Sequence, residues 1–153
     1  MRTKLLFSTL AFLLIPLYVI AGDEPVPRIR KADLGSQSFL AGSLKISIAK
    51  FKGNIAFTFG NPAEAGSGQV ALKIENASKD FATFYPQRVS FVGRDDNSVG
   101  ILDARHNYDE YVPAGEVRIA PGARVSELYR LKTKVRLPAR MFYDDKLLVV
   151  ITD

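Results

Sequence analysis

The chain has 153 residues, 47% of them apolar and 24% charged, with no cysteine and a formal charge of +5. That composition is one globular domain long and excludes overall disorder, disulfides, thiolate metal sites, thiol catalysis and a lipid anchor on an N-terminal cysteine. Arg2 and Lys4 precede the first apolar run, so the remainder holds 19 basic against 16 acidic side chains and carries only +3.

MRTK followed by the uncharged run Leu5 to Gly22 has the charge and hydropathy pattern of an export signal. Val19 and Ala21 are small residues placed for cleavage after Ala21, which makes residues 1–21 a signal peptide with a helical core. An uncleaved membrane anchor is the alternative, because the run reaches the roughly 17 to 20 residues a spanning helix needs. Pro16 and the Val-x-Ala ending favour cleavage. The expected location is therefore the periplasm or the extracellular medium.

Residues 22–37 mix Pro, charge and small side chains without an apolar period and read as a flexible lead-in, with Arg28 to Lys31 as its one basic cluster. The domain is expected over 38–153. Leu44, Ile46 and Ile48 alternate with polar residues, as do Ile55, Phe57 and Phe59, and each set predicts a half-buried strand. Gly60 to Gly68 is a loop, since Pro62 lacks a ladder donor and the glycines resist ordering.

Val70, Leu72 and Ile74 mark the next strand, which stops at Asn76-Ala77-Ser78-Lys79-Asp80. Asn76 ends it because its amide can hydrogen-bond nearby backbone in place of the ladder. Asn76-Ala77-Ser78 also spells a glycosylation acceptor, a pattern short enough to arise by chance. Val89 and Phe91, then Val99 to Leu102, predict a strand pair folded over the turn Arg94 to Ser98.

Asp103 to Gly115 has no strand period and reads as a surface loop, the place where a scaffold of this kind carries function. Val117 and Ile119 precede a Pro121-Gly122 turn, Val125 to Leu131 follows it, and Leu147 to Ile151 is a continuous apolar run of the kind covered on both faces. Seven or eight short strands of this kind predict an all-β fold, an immunoglobulin-like antiparallel sandwich of about seven strands, with an open barrel as the alternative. An antibody-type domain is excluded, because there is neither a Cys pair nor a Trp.

The segment Val70 to Gly100, followed by Ile119 to Ile151, resembles a bacterial exported family of unknown function with a telokin-like, immunoglobulin-related fold. The resemblance covers about half of the chain and implies that fold. Many members are lipoproteins held by a cysteine, and this chain departs from them there.

His106 is the sole histidine, so any Ser-His or His-metal chemistry must run through it. Around it Asp103, Arg105, Asn107, Asp109 and Glu110 offer three carboxylates that could hold Ca²⁺ through oxygen ligands, but their spacing matches no calcium loop, which favours a solvated polar loop. The only Gly-x-Ser-like stretch, Gly66-Ser67-Gly68, lacks the strand-to-helix context of a nucleophile elbow, and no phosphate-cradling glycine loop exists. Asp95-Asp96 and Asp144-Asp145 read as turn residues rather than an acid and a base.

Arg130, Lys132, Lys134 and Arg136 share one parity and would share one face of a regular strand, giving a basic stripe. Such a stripe either meets an anionic lipid or polysaccharide or keeps an edge strand soluble. The expected function is a non-catalytic, cofactor-free binding module for an envelope or extracellular protein. The contact residues would be Arg105, His106, Asp109 and Glu110, or the stripe Arg130, Lys132, Lys134 and Arg136. Nucleic acid is not an expected partner of an exported chain.

Overall fold

A computed structural model describes residues 25–53, 67–107 and 110–153. The expected signal helix, the strand at 54–59 and Asp109 lie outside them. Twelve strands form among the described residues: β1 (Arg28–Arg30), β2 (Phe39–Ala41), β3 (Leu44–Lys52), β4 (Gln69–Asn76), β5 (Ala82–Phe84), β6 (Val89–Val92), β7 (Ser98–Asn107), β8 (Glu110–Pro113), β9 (Val117–Ile119), β10 (Arg124–Leu131), β11 (Ala139–Tyr143) and β12 (Lys146–Thr152).

One hydrogen-bonded path runs β1-β12-β11-β6-β7-β10-β4-β3-β2, with β8 added to β7 and a separate β5-β9 pair. The path curls because β7 serves two layers. Its start, Ser98 to Gly100, pairs with β6, and from Ile101 onward it pairs with β10 and then β8. The layers face each other across the core. Phe51 of β3 lies 5.3 Å from Phe91 of β6, ring to ring, and Phe84 lies between Tyr143 of β11 and Tyr129 of β10, at 5.6 and 6.4 Å.

The period-two segments form as expected. In β4, Val70, Leu72 and Ile74 are buried and Ala71, Lys73 and Glu75 face outward. In β3 the alternation would turn Lys50 inward, and a bulge between Ile48 and Lys50 resets it so that Phe51 is buried instead. The run in β12 owes its density to a bulge as well. Leu148 and Val149 are both buried, and the register with β11 slips beside them, so two-sided cover is not the reason.

Two expectations are corrected. Residues 28–30 are not a spacer: Ile29 is buried and β1 pairs in parallel with β12, a partner too distant in sequence to be read locally. Asp103 to Gly115 is not a loop but the second half of β7 and the strand β8, folded as a hairpin. The strand count exceeds seven because β1, β2, β5, β8 and β11 are each three to five residues long, too short to display a period.

Asn76 ends β4 for more than the local reason expected. It is fully buried, its Nδ2 donates to the carbonyls of Asp80 (2.7 Å) and Ile119 (3.0 Å), and its Oδ1 accepts from the Ser78 backbone N–H (2.9 Å) and hydroxyl (2.7 Å). Its backbone is engaged too: its N–H donates to Ala123 and its carbonyl accepts from Gly122, whose φ of +69° suits a glycine. Both amide hydrogens are in use inside the fold, so the acceptor pattern at Asn76 is closed to a transferase once the chain has folded. Asn76→Ala strands several buried polar groups and is expected to cost about 3 kcal/mol in urea unfolding; wild-type stability would contradict the role assigned to it.

Burial pushes the Tyr129 hydroxyl well above the ordinary tyrosine value of 10.0, with Glu127 adding to the shift, and burial raises Tyr143 against a bond from the Tyr85 N–H. A raised value means the fold holds the proton. That stability is complete below about pH 10 and is lost as pH climbs through the folded values. Alkaline titration by near-ultraviolet absorbance should show the fold opening with tyrosine ionisation. No protein group bonds the Tyr129 hydroxyl among the described residues, so Tyr129→Phe should shift that transition to higher pH while changing stability at pH 7 by less than about 1 kcal/mol.

Candidate functional site

The expected contact residues separate into two places at opposite ends of β7. Toward its C-terminal end, the β7–β8 hairpin carries Arg105, an exposed His106 and an exposed Glu110, and Arg105 stands opposite Tyr111 in the register. Toward its start, the chain leaves β10 and runs irregularly from Lys132 to Pro138 before β11 begins.

The basic stripe is therefore corrected: it is not one strand face. β10 stops at Leu131, and Val135, in the middle of the expected stripe, is buried and donates its N–H to the Gly53 carbonyl at 2.9 Å. Lys132, Lys134 and Arg136 stay exposed on the resulting loop. Arg130 does not join them.

Arg130 lies on the outer face of β10, level with Asp103 of β7 on one side and Gln69 of β4 on the other. Its guanidinium grips the Asp103 carboxylate with two bonds, Nε to Oδ1 at 3.1 Å and Nη2 to Oδ2, and both side chains are nearly buried, at 13% and 15% exposure. The Tyr111 ring of β8 covers the guanidinium at 4.4 Å, and the Gln69 Nε2 donates to the Tyr111 hydroxyl at 3.0 Å. Four strands are thus tied by one polar cluster on the outer face. Arg130 and Asp103 are structural partners. Gln69 and Tyr111 were not legible as members, because only the cross-strand register brings them there.

At the other end two glycines let the 132–138 loop pack down. A Cβ on Gly53 would lie 1.8 Å from the Val135 carbonyl oxygen, and one on Gly93 would lie 3.0 Å from that of Arg136. The Arg94 N–H donates to the Arg136 carbonyl at 3.1 Å. Lys31, Arg94 and Arg136 consequently line one open cleft of about 330 Å³ with Asp153 on its rim. Lys31 and Arg94 carried no functional signal in the sequence.

The acidic pairs serve turns. Asp96 and Asp144 hold left-handed φ angles of 57° and 50°, and accept from Arg140 (2.6 Å) and Arg88 (3.3 Å). Asp95 accepts from the Asn97 amide, which with backbone bonds and the Arg136 charge holds its carboxyl below the usual range. No three His, Asp or Glu side chains gather to hold a metal ion among the described residues.

A scan against protein-family models returns no match, and a search of curated proteins returns none. Among solved structures the chain is similar to MPT63, a secreted protein of Mycobacterium tuberculosis, with a TM-score of 0.54 and 12% identity over 85% of this chain and 100% of that one. It is similar to the YjhA protein of Bacillus subtilis with a TM-score of 0.52 and 11% identity, over 83% and 98% of the two chains. At identities this low the likeness shows a shared fold and nothing further. Among the described residues no helix is long and apolar enough to cross a membrane.

The Arg130–Asp103 pair has a testable signature. Asp103→Leu leaves a nearly buried guanidinium without its partner and should cost about 2 to 3 kcal/mol, and adding Arg130→Met should recover about 1 kcal/mol of that loss. Denaturant unfolding of the four-member cycle checks it; strict additivity would mean the two side chains do not interact.

Proposed function

We propose that the protein is a non-catalytic exported module that binds another protein of the cell envelope or extracellular space through the β7–β8 hairpin. The observation that carries the reading is the edge position of β8 among the described strands. β8 pairs with β7 and with no other described strand, which is the sheet-edge position that strand addition uses. The Arg130 cluster holds this edge in place, and Leu102, 47% exposed in the bulge of β7, adds apolar surface near it.

Export is supported by the charge and hydropathy pattern of residues 1–21 and by the likeness to a secreted protein. Membership of the telokin-like, immunoglobulin-related family belongs to the same proposal. A non-catalytic role is supported by the engagement of the acidic pairs in turns and ion pairs. A second reading, binding of an anionic lipid or polysaccharide, is favoured by the exposure of Lys132, Lys134 and Arg136 together on one loop.

Photo-crosslinking from a probe at Val112 in the native envelope should recover one recurrent protein, and Leu102→Asp in the exposed bulge of β7 should weaken that link with the fold intact. A spread of products equal to that from Lys50, on the face of β3, would refute docking at β8. A specific enzymatic activity lost in His106→Ala would refute the non-catalytic reading.

A further inference from the structure

Arginine is committed almost everywhere in this fold. Arg30, Arg88, Arg124, Arg130 and Arg140 each grip a carboxylate, Arg118 covers the Phe81 ring at 4.6 Å, and Arg105 is also engaged. Arg28, Arg94 and Arg136 are the exceptions: no ion pair engages them among the described residues, nor Lys31. Arg94, Arg136 and Lys31 line the same cleft, and they come from three separate elements: the turn after β1, the β6–β7 turn and the loop between β10 and β11.

We infer that this cleft is a binding site for a phosphate-type oxyanion held by Lys31, Arg94 and Arg136. The inference deepens the second reading above, because it replaces a diffuse basic loop with a defined cleft and names the anion. Lys31, Arg94 and Arg136 share the cleft with Asp153, and Asp95 is a further carboxylate within the field of Arg136. Among these side chains the cations outnumber the carboxylates three to two. A guanidinium presents parallel N–H donors that match two oxygens of a tetrahedral phosphate, and two such forks with an ammonium complete a three-sided clamp.

The clamp is also held in shape before any ligand arrives. The Arg94 N–H to Arg136 carbonyl bond fixes the two arginine backbones to each other, and the Val135 N–H to Gly53 carbonyl bond pins the loop to the end of β3. Gly53 admits no Cβ at this contact, and at Gly93 one would press on the Arg136 backbone at 3.0 Å, so the close approach depends on Gly53 and is eased by Gly93. Binding then has only side-chain freedom to remove, the smaller part of the ordering cost. A concave site of about 330 Å³ suits one phosphate group and its immediate substituent.

Isothermal titration of the full chain in neutral detergent with inorganic phosphate, glycerol 3-phosphate and the soluble diester glycerophosphoglycerol tests this, with amide chemical shifts locating the site. Saturable binding that shifts the Arg94 and Arg136 amides is expected. The Arg94→Gln/Arg136→Gln pair should weaken it at least about tenfold, while Lys132→Gln/Lys134→Gln leaves it unchanged. If the arginine pair unfolds the protein, Lys31→Gln alone should weaken binding about threefold.

Preference for the monoester names a soluble phosphate as the source, and preference for the diester names a lipid headgroup; either supports the site. Absence of saturable binding to all three probes overturns it. So does an equal loss from the Lys132 and Lys134 variant, which would leave only the diffuse basic loop of the second reading. Leu102→Asp should leave phosphate binding untouched, which separates this site from docking at β8.

Discussion

The two layers of this protein depend on one strand. β7 gives its first residues to β6 and the rest to β10 and β8, and a bulge between Arg130 and Leu131 on the β10 side turns the ladder from one layer to the other. A sheet that must cover its own apolar face curls at this point rather than lying flat. The inner residues of both arms, such as Phe51 and Phe91, then meet, and Phe84 fills the space between Tyr129 and Tyr143. The curl also sets what lies outside: the hairpin at one end of β7 and the basic cleft at the other.

Positions with a clean period of two were legible. Leu44 to Ile48, Val70 to Ile74 and Val89 to Phe91 needed nothing but alternation, because burial on one face is a local property of a strand. What stayed hidden was non-local. Ile29 is apolar among charges and becomes a core residue only because β12 lies beside it. The 103–113 segment hid its hairpin because its outer face is built from Asp103, Arg105 and Tyr111, whose contacts lie across the sheet, and a bulge between Arg105 and Asn107 shifts its register.

The basic stripe shows the same limit from another side. Parity assigns residues to a face only while the backbone stays extended, and the chain abandons the ladder after Leu131 so that Val135 can be buried. The charges that the sequence grouped by parity are regrouped by backbone contacts: Arg130 goes to Asp103, and Arg136 goes to Arg94. Asn76 was legible as a stop and illegible as a junction, since Ile119 and Ala123 lie more than forty positions away. Electrostatics here follow from where the glycines allow the chain to approach itself.

The parallel pairing of β1 with β12 has a mechanical meaning. Arg28 stands beside Val150 and Arg30 beside Thr152, and the Val150 N–H reaches back to the Pro27 carbonyl. Tension applied between Pro27 and Thr152 therefore slides one strand along its neighbour and strains these bonds together. Antiparallel neighbours pulled from the same end would instead unzip one bond at a time. A ladder of three residues, loaded in shear, is the clasp through which any force on the flanks of the sandwich must first pass.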